Sequence, residues 1–151
     1  MQIVIGCDNA AVSLKNIIVK LLETKGVEVE DKGCFTSEDP INYPLVAKKV
    51  CDSIIESGYT KRGILICGTG IGMAMTANKF KGIRAAVCHD IFSTQRSILS
   101  NNGNVLCMGE RVIGAELAKT LVSEWIKLEF VDGPSTPKVE DIIKIETENM
   151  K

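Results

Sequence analysis

Only one histidine, His89, occurs in the 151 residues, and none of the six cysteines forms a Cys-x-x-Cys pair. Those two shortages exclude the usual zinc ligand sets, so no metal is expected. No signal-like start precedes the first apolar stretch, which predicts a cytoplasmic chain whose thiols at 7, 34, 51, 67, 88 and 107 stay reduced. No basic block stands out among 18 basic and 19 acidic residues, so nucleic acid is not an expected partner. No apolar run approaches the roughly 18 residues that span a bilayer, so no membrane partner is expected either. The dinucleotide fingerprint G-x-G-x-x-G is missing: counted from Gly68 its third glycine falls on Met73, and from Gly70 on Met75. No Gly-Lys-Ser/Thr follows, which excludes a nucleoside-triphosphate loop. Repeats, linkers and low-complexity tracts are also lacking, and residues 1–151 read as a single domain.

With 45% hydrophobic residues, the chain has enough apolar material for a core of its own. Short apolar runs alternate with helical periods. Ile3 to Ile5 predicts a first strand, and Leu14, Ile17, Ile18, Leu21 and Leu22 a helix stopped by Gly26. Val27 to Val29 is a second strand. A polar loop from Lys32 to Asn42 leads through Tyr43-Pro44 into a helix bearing Val46, Val50 and Ile54, which Gly58 ends. The third strand closes on Cys67, and Ile71 to Lys79 forms the next helix. Ile83 to Val87, Phe92 to Leu99 and Val105 to Met108 then read as strand, helix and strand. Leu117, Ala118, Leu121, Val122 and Trp125 mark a long helix. Thr136-Pro137 opens the last one, with threonine as its cap. Five alternations of strand and helix predict a three-layer α/β/α, Rossmann-like fold on a five-stranded parallel sheet.

The chain is organised around Gly63 to Met73. Ile64 to Ile66 is a continuous apolar run, as in a parallel strand covered on both faces. Cys67 ends it, and Gly68-Thr-Gly-Ile-Gly72 supplies a turn whose following helix start favours negative charge. Locally, Cys67 reads equally well as a reactive thiol or as one more buried apolar residue. Ligands of open parallel sheets bind at the strands' carboxyl ends. Asp8-Asn9, Cys67 to Gly72, His89-Asp90 and Ser100 to Asn104 are all expected there.

Several segments occur in a telling order: Gly6-Cys-Asp8, Tyr43-Pro44, Ile66-Cys-Gly-Thr-Gly-Ile-Gly72, Ala77-Asn-Lys79, Gly82-Ile-Arg-Ala85, Asn104-Val-Leu106 and Gly109-Glu-Arg-Val-Ile-Gly114. Together they resemble the family of ribose-5-phosphate isomerase B and galactose-6-phosphate isomerase. The resemblance implies a cofactor-free aldose–ketose isomerase acting on a sugar phosphate through an enediolate. It also implies a homodimer or homotetramer with shared active sites, and a C-terminal helix used in dimerisation. Carried over, Cys67 is the base that moves the proton. Gly68, Thr69, Gly70 and Gly72 hold the oxyanion. Asp8, Tyr43 and Asn101 contact the sugar. Arg111 is a phosphate ligand that a neighbouring subunit supplies.

The chain departs from that family at three places. Asp8-Asn9 stands where the family has Asp-His, so a phosphate contact at Asn9 is neutral. Ser100 stands in place of a ring-opening histidine. Asp132-Gly-Pro-Ser135 replaces Gly-Gly-Arg-His, and Lys138 falls where a second arginine sits. The proton-transfer groups are kept while ring opening and phosphate binding change, so the expected substrate is ribose 5-phosphate or a related sugar phosphate, including one that needs no ring opening. His89 is a substitute acid–base group or an ordinary hydrogen-bonded histidine. Two alternatives stay open: one subunit of a galactose-6-phosphate-type isomerase, and a sugar-phosphate-binding protein without catalysis.

Overall fold

The computed structural model describes residues 1–150. Its elements are β1 (Gln2–Cys7), α1 (Val12–Thr24), β2 (Glu28–Asp31), α2 (Tyr43–Glu56), β3 (Arg62–Cys67), α3 (Ile71–Ala77), β4 (Ala85–Val87), α4 (Ile91–Leu99), β5 (Val105–Gly109), α5 (Ala115–Trp125) and α6 (Thr136–Asn149). The strands form one all-parallel sheet in the order β2-β1-β3-β5-β4. Side chains alternate strictly across it, because successive Cβ atoms on a strand point to opposite faces. Ile3, Ile5, Ile64, Ile66, Leu106 and Met108 pack with Leu14, Ile18, Val122 and Trp125 of α1 and α5. Val4, Leu65, Cys67, Val105 and Cys107 pack with Val46, Val50, Ile54, Met73 and Ala77 of α2 and α3. The fold is therefore the expected three-layer α/β/α.

Two features of that order position a site. The chain leaves β1 for β2 on one side and returns to place β3 on the other, so a crevice opens between the carboxyl ends of β1 and β3. Asp8 and Gly68 stand on its two lips. The Asp8 N–H donates to Ile66 O across the gap at 3.3 Å. Among the described residues, no helix is long and apolar enough to cross a membrane.

Two expectations are corrected. Ser100 to Asn104 follows α4, which runs back across the sheet, and leads into the start of β5; it lies at the amino ends of the strands. The Gly63 N–H, near the start of β3, donates to Asn104 O there at 2.8 Å. Thr136 does not cap α6 but begins it: its hydroxyl turns back to the Asp132 carboxylate and accepts the Gly133 N–H. The last helix also stands apart from both layers. Val139 is its buried residue, while Ile142, Ile143 and Ile145 are 41, 42 and 59% exposed.

Candidate active site

Cys67 ends β3 on the face covered by α2 and α3, and the next residues set its surroundings. Gly70 is left-handed at φ 81°, and a Cβ there would lie 2.9 Å from the Met108 backbone, so only glycine fits. That turn aims the Gly70 N–H at Cys67 Sγ, at 3.1 Å. The Thr69 hydroxyl accepts the Ile71 N–H at 3.2 Å, which leaves its own hydrogen free to donate outward. The N–H groups of Thr69 and Gly72 have no acceptor among the described residues. Cys67 is only 5% exposed, yet it faces an open cavity of about 390 Å³.

The same cavity is lined by Asp8, Tyr43, Gly68, Thr69, Gly72 and Arg111, with Ile71 and Met75 at its rim. Tyr43, at the start of α2, lays its ring over Gly72 so closely that a Cβ there would overlap it. Asp8 accepts the Ala10 N–H on Oδ1 at 3.0 Å and keeps its other oxygen towards the crevice free of protein donors. Arg111 leaves β5 just beyond Gly109, donates its N–H to Gly68 O at 3.1 Å and rests its guanidinium against Gly68. No carboxylate among the described residues pairs with that guanidinium. A thiol, unoccupied N–H donors, a hydroxyl, a carboxylate and an unpaired cation thus surround one cavity. This set suits a small polyhydroxylated anion.

Other expected site residues lie elsewhere. Asn9 is exposed and gives its amide N–H to Asp39 O at 3.0 Å, so it pins the loop after β2. Asn101 lines a different cavity, with Ile142 and Ile145, and Ser100 precedes it at the opposite end of the sheet from Cys67. The β3 strand alone puts roughly 13 Å between those ends. Lys138 is exposed on the first turn of α6. Arg111, expected as a phosphate ligand, sits over its own chain's turn. Gly70 gives its N–H to the Cys67 sulfur. His89 accepts the Gly109 N–H on Nε2 at 2.9 Å, which fits its reading as a hydrogen-bonded histidine.

Sequence reasoning missed Lys15. It is fully buried, with Nζ at 2.9 Å from both Asp31 oxygens and from Cys34 O, and it lies over the Phe35 ring. Its signal was a charge placed on the apolar stripe of α1, three residues before Ile18 and seven before Leu22. Burial also separates the thiols: it raises those of Cys7, Cys88 and Cys107 and pushes Cys51 up to about 12. Of the six cysteines, Cys67 is the one on the cavity.

Comparison with known proteins agrees with this geometry. The family described as Ribose/Galactose Isomerase matches residues 3–142. The chain is 51% identical over 143 residues to D-erythrulose-4-phosphate isomerase of Pectobacterium atrosepticum, covering 94% of this chain and 93% of that one. It is 49% identical over 149 residues to D-erythrulose-4-phosphate isomerase 2 of Mycolicibacterium smegmatis, covering 97% of each. Among solved structures, ribose-5-phosphate isomerase B of Mycoplasma genitalium with bound ribulose-5-phosphate superposes with a TM-score of 0.93 at 33% identity, covering 98% of this chain and 97% of that one.

Proposed function

This chain belongs to the ribose/galactose isomerase family, and from that premise we propose that it interconverts a tetrose 4-phosphate and its ketose, D-erythrulose 4-phosphate. It is an aldose–ketose isomerase of the ribose-5-phosphate isomerase B type. The observation that carries the mechanism is Cys67 Sγ on an open cavity, held by the Gly70 N–H beside unoccupied donors. Cys67 as thiolate takes the proton from C2 of the aldose. The freed electron pair forms the C1–C2 double bond, and O1 becomes the oxyanion of an enediolate. The Thr69 and Gly72 N–H groups and the Thr69 hydroxyl receive that charge; one such donor is worth about 3 kcal/mol of barrier. The thiol then returns its proton to C1, and the Thr69 hydroxyl relays the remaining proton from O2 to O1. Asp8 and Tyr43 hold the sugar hydroxyls, and Arg111 meets the phosphate.

The choice of a tetrose rests on Ser100 and on the two relatives of about half identity. A pentose 5-phosphate closes to a furanose through O4 and has to be opened before C2 is acidic. A tetrose esterified at O4 cannot close that ring, so no ring-opening histidine is needed. Ser100, Asn101 and Lys138 reach the cavity from a second copy of the chain, docked through the apolar stripe of α6. The same stripe makes a homodimer or homotetramer the working form, in the cytoplasm.

Isomerisation of D-erythrulose 4-phosphate and ribose 5-phosphate by the purified chain tests the substrate. The tetrose phosphate is expected to show the higher kcat/KM by at least about tenfold; equal or better use of the pentose overturns this choice. Cys67→Ala is expected to stop exchange of the C2 hydrogen in deuterated buffer while the fold persists. Retained exchange removes Cys67 as the base.

A further inference from the structure

His89 is the chain's single histidine and follows Cys88, whose N–H donates to Cys107 O and so extends the β4–β5 pairing. Its Nε2 accepts the Gly109 N–H at 2.9 Å. A ring nitrogen that accepts carries no proton, so the hydrogen sits on Nδ1 and the imidazole is neutral. Gly109 is the last residue of β5 and pairs with Cys67 across the sheet. It packs so tightly on the glycine turn that an added Cβ would run into Thr69 Cα and Gly68 O. The Glu110 N–H donates to Cys67 O at 3.0 Å and closes the same wall. The end of β5 is thus the back of the cradle, and His89 is its outer anchor on the β4 side.

We propose that His89 is a positioning residue for the oxyanion cradle: in its neutral form it holds Gly109, and through Gly109 the Thr69 donors, at the spacing that proton transfer requires, and its protonation releases them. A protonated Nε2 can no longer accept, and it would face the Gly109 N–H donor to donor. Charged residues near it are Asp90 on the same turn and Glu110 and Arg111 beyond β5. Asp90 alone among them acts on the imidazole, and its carboxylate is turned to the Ser93 N–H at 2.7 Å. Burial outweighs Asp90 and holds the imidazole below its ordinary 6.5. Release therefore takes a lower pH than an ordinary imidazole would need.

The test compares His89→Gln, whose amide oxygen can accept the same N–H but does not titrate, with His89→Ala, which cannot accept it. The proposal rests on the oxyanion-cradle reading above. At pH 7.5, His89→Ala is expected to lose kcat by about tenfold with KM within about twofold. His89→Gln is expected to restore most of that loss. In a kcat–pH profile from 7.5 to 5, the wild type falls more steeply than His89→Gln. The phosphate of the substrate, which titrates near 6, contributes equally to both. Superimposable acid limbs, or undiminished kcat in His89→Ala, overturn the proposal; if His89→Ala fails to fold, the His89→Gln profile decides. Failure of the cradle reading is distinguishable, because it would appear as turnover in Cys67→Ala, whatever His89 does.

Discussion

A methyl group is the smallest probe of the cradle, and two glycines should respond to it differently. At Gly72 the added carbon runs into the Tyr43 ring, a half-exposed side chain that can swing aside. Gly72→Ala is therefore expected to keep its melting temperature within a few degrees. It should lose kcat/KM by about tenfold, because the phenol no longer sits over the turn. At Gly70 the obstacle is the Met108 backbone in the middle of the sheet, and φ is 81°. Nothing there can yield, so Gly70→Ala is expected to cost about 1–3 kcal/mol of stability and to remove activity with it. Thermal unfolding and steady-state kinetics on both variants separate a displaced tyrosine from a broken turn. Comparable unfolding costs for the two would refute this ordering.

Elements were more legible in the sequence than the ends of the sheet they serve. Every strand and helix appears where apolar periodicity placed one, because Ile3, Ile5, Ile64, Ile66 and their partners obey one alternation. Boundaries shifted where side-chain bonds outweigh pattern. β4 starts at Ala85 rather than Ile83, since the Ile83 N–H turns to Phe80 O and the Arg84 N–H to the Asn104 side chain. Ser100 to Asn104 was assigned to the wrong end because polar turns border both ends of a parallel sheet. Only the direction of α4 tells them apart. The charge cluster around Glu30 had no signal at all. Glu30 on the edge strand β2 is held by Lys32 at 2.7 Å, Lys61 at 2.8 Å and the Ser53 hydroxyl at 3.0 Å, which ties β2 to α2 and to the approach to β3. Lys32 and Lys61 together lower its carboxyl to about 2. The native state thus resists protonating Glu30 while the unfolded chain takes the proton near its ordinary 4.5. The stabilisation is complete above 4.5 and is lost as pH falls from there towards 2. Glu30→Gln is expected to be less stable than wild type at pH 7 and to converge with it in urea unfolding at pH 2 to 3. Parallel curves across that range would contradict the linkage.

One copy of the chain holds both more and less than one active site. Cys67, Thr69, Asp8, Tyr43 and Arg111 converge at the carboxyl end of the sheet, while Ser100 and Asn101 stand at the amino end and line a different cavity. Side chains cannot bridge that distance within a chain, so if both groups serve one substrate the second comes from another copy. Helix α6 leaves Ile142, Ile143 and Ile145 uncovered beside Asn101, an apolar stripe suited to a second copy. A two-fold dimer has one self-complementary interface and two equivalent sites, so each copy lends Asn101 to its neighbour and receives Asn101 in return. Subunit mixing reads this directly. Cys67→Ala and Asn101→Ala homodimers are each expected to be inactive or nearly so. Mixed in equal amounts and allowed to exchange, half of the dimers become heterodimers with one site intact and the other doubly damaged. Recovered activity should approach about a quarter of wild type. No recovery after exchange has been verified by mass spectrometry would place each site within a single chain and leave Asn101 without a catalytic partner.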